Sequence, residues 1–111
     1  ALLEDLPLTL PYQSKDCYSS IHLYPVQIDI AKKVDKSRKQ IFIELRENHI
    51  GVNVHYIPIH MQPYFQNLGF KEGDFPNSEV YYQSTLTLPL FSSMSSEQQD
   101  KVVTVLGKIL Q

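Results

Sequence analysis

Cysteine is nearly absent from this chain. Cys17 stands alone, so no internal disulfide can form and no Cys-x-x-Cys metal or redox pair exists. That usage fits a reducing, cytoplasmic setting. An excess of one charge sign is also missing. Ten Lys and Arg against twelve Asp and Glu leave a net charge of −2 and a pI near 6.1, which gives no field that would favour nucleic-acid phosphates or anionic lipid. Neither nucleic acid nor a membrane is an expected partner. The uncharged stretch Tyr18 to Ile28 carries Ser, His, Pro and Gln and falls far short of the roughly 20 residues a spanning helix needs. The opening Ala1-Leu2-Leu3-Glu4-Asp5 has neither the basic start nor the apolar stretch of a signal peptide. Methionine occurs only at Met61 and Met94, as expected either of a piece cut from a longer protein or of a chain whose first Met was removed before a small Ala. Repeats, low-complexity tracts and charge blocks are absent.

What remains is an ordinary globular composition, 42% hydrophobic and 20% charged over 111 residues, enough for one domain with one core. Leu6 to Tyr12 alternates apolar residues with Pro and Thr, which suits a short edge strand or an extended tether, because Pro cannot donate to a ladder. Ser20 to Ile30 is rich in β-branched and aromatic residues and reads as a core strand kinked at Pro25. Asp35-Lys36-Ser37 offers helix caps before Arg38 to His49, where Ile41, Phe42 and Leu45 recur at helical spacing, and the helix is expected to end near Asn48. Gly51 is the expected left-handed residue after it. Val52 to Ile57 alternates with period two, so a strand is expected with Val52, Val54 and Tyr56 on one face and Asn53, His55 and Ile57 on the other. Pro58 to Pro63 reads as a loop and Tyr64 to Leu68 as one helical turn closed by Gly69. A further loop leads to a helix at Asn77 to Ser84 and a strand at Leu86 to Leu90. Ser95-x-x-Gln98 is a capping box ahead of Val102, Val103, Leu106, Ile109 and Leu110 at helical spacing. The order implies an α+β (α/β) architecture, a small mixed or antiparallel sheet with helices packed on one face.

Chemistry-bearing side chains concentrate in His49, Asn53, His55, Tyr56, His60, Gln62 and Tyr64. As a metal site, His55-x4-His60 has only Glu47 among carboxylates within ten residues on either side, so three ligands are not indicated and no metal is expected. No nucleophile motif accompanies Cys17 or the serines. Plainer roles fit the surroundings: His49 as a partner of a helix C-terminus, His22 as a solvent-facing or hydrogen-bonded structural histidine, and Tyr81 and Tyr82 as packing residues. Lys32, Lys33 and Lys36 read as a solvated face, and Cys17 as an inert small residue. For His55, Tyr56 and His60 the residues alone leave a structural loop and a ligand-contacting one equally open.

Ser19-Ser20-Ile21-His22-Leu23-Tyr24, the run from Gly51 to Tyr64 with its His55-Tyr56-x-Pro58-x-His60 centre, the run from Gly69 to Glu79, and Leu86-Thr87-Leu88-Pro89-Leu90 follow one another as blocks. In this order, from about Ser19 to the end, they resemble the C-terminal domain of the DegT/DnrJ/StrS sugar aminotransferases, fold-type I enzymes dependent on pyridoxal phosphate. Within that family they look most like the members that, in pseudaminic acid synthesis, place an amino group from glutamate on C4 of a UDP-linked 4-keto-6-deoxy sugar. The resemblance implies that residues 1–18 are a tether from a large N-terminal domain and residues 19–111 the small domain. It implies a homodimer when full length, with the small domain closing one side of the active site. It also implies that the cofactor-bonding lysine, the acid beside the pyridine nitrogen and the phosphate cradle lie in the large domain, since Lys15, Lys32, Lys33, Lys36, Lys39, Lys71, Lys101 and Lys108 match no such motif. No catalytic residue is therefore expected here, and the piece alone is expected to be inactive. His55, Tyr56 and His60 are the implied contacts to substrate. The competing expectation is a stand-alone α+β module that binds a small ligand or dimerises. An apolar surface patch where a large domain packs would separate the two.

Overall fold

The computed structural model describes residues 2–29 and 34–111. Its elements in chain order are β1 (Leu8–Thr9), β2 (Tyr24–Ile28), α1 (Arg38–Glu47), a 3-10 turn (Ile59–Met61), α2 (Pro63–Asn67), α3 (Pro76–Ser84), β3 (Thr85–Leu88) and α4 (Ser96–Leu110). The strands form one antiparallel sheet in the order β1-β2-β3, with Leu8 opposite Ile28 and Val26 opposite Leu86. Because side chains alternate across a strand, this register puts Leu8, Val26, Ile28, Leu86 and Leu88 on one face. That face meets Ile41 and Leu45 of α1 and Val102, Leu106, Ile109 and Leu110 of α4 in a single core. The expected α+β sheet is present and antiparallel throughout.

Both long helices begin as their sequences dictate. Ser37 and Gln40 at α1, and Ser95 and Gln98 at α4, form reciprocal capping boxes in which each serine hydroxyl accepts from a backbone N–H and each glutamine oxygen accepts from the cap N–H. Ser95→Ala leaves the Gln98 N–H without its acceptor and is expected to lower stability by about 1 kcal/mol, read as a shifted urea midpoint at unchanged slope. Lys36 departs from the expected solvated face: its Nζ donates to Glu44 at 2.8 Å and to the Ile109 carbonyl at 3.0 Å, tying the start of α1 to the end of α4. Lys32 and Lys33 lie outside the described residues.

Three expectations are corrected. The strand drawn over Ser20 to Ile30 shortens to Tyr24–Ile28, with Ser20 to His22 exposed and outside any strand, and Ile30 outside the described residues. Gly51 is not the left-handed residue after α1. His49 is, at φ 61°, and its N–H and that of Ile50 return to the carbonyls of Arg46 and Leu45, the paired bonds of a Schellman motif. The third correction concerns Val52 to Ile57, which makes a single bridge, Asn53 with Thr87, in place of a strand. The next ladder positions on β3 have no free donor: Pro89 lacks an N–H, and the Thr85 N–H is already given to the Tyr81 carbonyl at the end of α3.

Leu6 to Tyr12 does supply an edge strand, and Leu3, Leu6, Leu8 and Leu10 all pack against the core. The short helix at Pro63–Asn67 is followed by Gly69 at φ 102°, and α3 begins one residue before its expected start.

Candidate functional site

The bridge between Asn53 and Thr87 sets the geometry of the site. It fixes Val52 into the core and turns Asn53 and His55 to the other side of the chain, so the expected alternation holds across these residues although the strand does not form. There His55 Nδ1 lies 2.8 Å from the Thr87 hydroxyl, a partly buried contact that fixes the ring. Tyr56 packs against the His55 ring edge-on, 4.6 Å between centroids, and is itself 72% exposed. The alternation fails at Tyr56, which was expected on the face of Val52 and Val54 but stands exposed while those two meet the core.

The seven side chains grouped by sequence separate in space. His49, Asn53 and His55 share a cleft of about 550 Å³ between the β3 edge and α4, closed on its far side by Phe91, Met94, Gln98 and Lys101. His60 lies instead in a second cavity of about 310 Å³, among Ile59, Phe65, Phe70, Phe75 and Ser78. It is 6% exposed, its ring centroid is 4.9 Å from that of Phe75, and its Nε2 meets Glu79 Oε1 at 2.7 Å. Gln62 occupies the N-cap position of α2 without a side-chain cap bond, and Tyr64 stands in solvent with its ring edge-on to Phe65.

Glu79 is the site residue that sequence reading overlooked. Its Oε1 also accepts from the Gly73 N–H at 2.8 Å. The hydrogen bond from His60 holds its carboxyl below the ordinary range, against the opposing effect of burial and with help from the Gly73 and Phe75 backbone. An ionised carboxylate can only accept, so the His60 proton sits on Nε2. The signal in the sequence is a Gly three residues before a helix opened by Pro76: at φ 93° Gly73 turns its N–H back toward the first turn, where Glu79 receives it.

No three His, Cys, Asp or Glu side chains converge on a metal position among the described residues. Nor do the residues fit a pyridoxal phosphate site by themselves. The cleft that holds Lys101 contains no carboxylate to face a pyridine nitrogen, and the buried carboxylate of Glu79 is committed to His60 and Gly73 in the other cavity. Cys17 is exposed, and no helix of the described residues is long and apolar enough to cross a membrane.

A run of exposed apolar side chains adjoins the His60 cavity, where Ile59 and Phe70 are among the lining residues, and reaches the His55 ring through Tyr56. Tyr56, Ile57, Ile59, Tyr64, Leu68 and Phe70, all from one continuous segment, are each at least 40% exposed, a concentration that marks a surface made to be covered.

Comparison with known proteins gives the setting. The model of the DegT/DnrJ/EryC1/StrS aminotransferase family matches residues 1–107. The spore coat polysaccharide biosynthesis protein SpsC of Bacillus subtilis is 40% identical over 106 residues, which are 94% of this chain and 27% of SpsC. Among solved structures, the putative sugar aminotransferase Spr1654 of Streptococcus pneumoniae, solved in apo, PMP and PLP forms, superposes with a TM-score of 0.86 at 25% identity over 97% of this chain and 27% of its own. Helicobacter pylori PseC, an aminotransferase involved in the biosynthesis of pseudoaminic acid, gives 0.82 at 25% identity over 98% and 29%. The chain thus spans about a quarter of the length of these relatives.

Proposed function

Because the chain belongs to the DegT/DnrJ/EryC1/StrS aminotransferase family, we propose that it is the small C-terminal domain of a pyridoxal phosphate-dependent sugar aminotransferase, residues 1–18 leading from the large domain and residues 19–111 forming the small one. The whole enzyme, a cytoplasmic homodimer, moves an amino group from glutamate to C4 of a UDP-linked 4-keto-6-deoxy sugar in the assembly of a surface polysaccharide or flagellin glycan. The observation that carries this reading is the apolar strip from Tyr56 to Phe70. It adjoins the His60 cavity, which Ile59 and Phe70 line, and is the kind of surface that a neighbouring large domain would cover.

The cofactor supplies the amino-transfer chemistry, and this domain contributes binding and orientation. His55, fixed by Thr87, and Tyr56, its ring free in solvent, offer N–H and O–H groups to sugar oxygens. His60, with Nε2 committed to Glu79, offers Nδ1. Groups held in this way position a carbon for reaction without taking part in bond making.

The test is amination by the full-length gene product. Incubated with pyridoxal phosphate, glutamate and a UDP-4-keto-6-deoxy sugar, it is expected to yield the 4-amino sugar by mass spectrometry. The 111-residue chain alone is expected to leave the cofactor absorbance unchanged. Turnover by the isolated chain, or none by the full-length protein with any keto sugar nucleotide, overturns the reading.

A further inference from the structure

The cleft between β3 and α4 gathers His49, His55 and Lys101 with the amides of Asn53 and Gln98, and none of its lining residues is acidic. In a chain whose acidic groups outnumber its basic ones, a cleft of about 550 Å³ with one ammonium, two imidazoles and no carboxylate is a local inversion of sign. Lys101 has no ion-pair partner among the described residues. His49 occupies a left-handed backbone position that glycine fills at no steric cost, so its ring is not there for the sake of the turn. His55 Nδ1 is hydrogen-bonded to the Thr87 hydroxyl at 2.8 Å, which fixes the ring at the wall of the cleft.

We propose that this cleft binds a phosphoryl or diphosphate group, with Lys101, His49 and His55 donating to its oxygens, and that Phe91 and Met94 receive a ring attached to it. The donors favour phosphate over carboxylate. The cleft has no arginine fork for planar, two-point recognition of a carboxylate, whereas its lysine acts as a point charge suited to a phosphate. The volume far exceeds one phosphate, and half-exposed Phe91 gives a face on which a base can stack. The inference rests on the function proposed above only for naming the larger ligand a nucleotide; the anion contact stands without it.

The experiment is an NMR titration of the 111-residue chain, first with inorganic pyrophosphate and then with UDP. Saturable shifts are expected at the ring protons of His49 and His55 and at the Lys101 amide. Lys101→Met is expected to weaken pyrophosphate at least tenfold, while Lys39→Met, on α1 and away from the cleft, leaves it unchanged. His49→Gly keeps a backbone suited to its conformation, so the folded spectrum persists and the loss of affinity reports the ring alone. UDP binding tenfold tighter than pyrophosphate supports the ring site; equal affinities overturn that half of the proposal. Shifts scattered over all lysines and indifferent to Lys101→Met overturn the anion site. Amination by the full-length protein is scored separately: its failure beside intact pyrophosphate shifts removes the enzymatic reading alone, and the opposite pattern removes only the anion site.

Discussion

Leu45→Ala is expected to cost roughly 3 kcal/mol or more, and Leu106→Ala a similar amount, because both side chains are fully buried where α1 and α4 meet the sheet. The loss has two parts, the transfer of the deleted carbons and the cavity left behind. The second part is large here because the surroundings cannot collapse. Leu45 belongs to the same core cluster as Ile41 on its own helix and the sheet residues Val26 and Leu86, all of them also fully or almost fully buried. The bond from Lys36 to the Ile109 carbonyl further resists a sliding of α1 toward α4. A domain of this size has only about 5 to 15 kcal/mol in total. Either substitution therefore removes a large fraction of it, and urea unfolding followed by circular dichroism should show the midpoint fall with little change of slope. Phe42→Ala, on the half-buried flank of α1, is the control and should cost less.

Those core residues were legible from spacing alone, since burial follows a period of 3.6 and nothing else competes for Ile41, Leu45, Val102 or Leu106. The capping serines were legible for the same reason, their chemistry being local. Errors fell where a distant group decides the outcome. Val52 to Ile57 has a strand's pattern, but pairing depends on donors of β3 that a proline and a helix end withhold. His49 took the place expected of Gly51 because the helix ends at Glu47 and the Schellman geometry sets the left-handed residue two positions later. The site was half visible. Spacing found the histidines, and the resemblance singled out His55, Tyr56 and His60, but one dimension cannot show that β3 draws His55 to Thr87 while α3 draws His60 to Glu79.

That division makes the Glu79 carboxylate the origin of an acid-dependent stability. Its pKa is lowered in the folded chain, chiefly by the hydrogen bond from His60, so the unfolded chain takes up the proton first as the pH falls. The sign follows: the stabilisation is complete above the ordinary carboxylate range, declines as the pH drops through that range toward the folded value, and is gone below both. Once protonated, Glu79 no longer offers the charge that His60 and the Gly73 N–H are oriented to meet. The segment from Ile59 to Phe75, held to α3 by these bonds, then loses its anchor. Glu79→Gln keeps the shape and one acceptor but removes the charge. Its melting temperature should fall at pH 7, and between pH 6 and pH 3 it should change less than that of the parent. His60→Gln should flatten the acid limb in the same way, since it removes the main cause of the shift while Glu79 stays. If the parent and Glu79→Gln melt in parallel over that range, the carboxylate is not held by His60, and the coupling between the His60 cavity and α3 has to be abandoned.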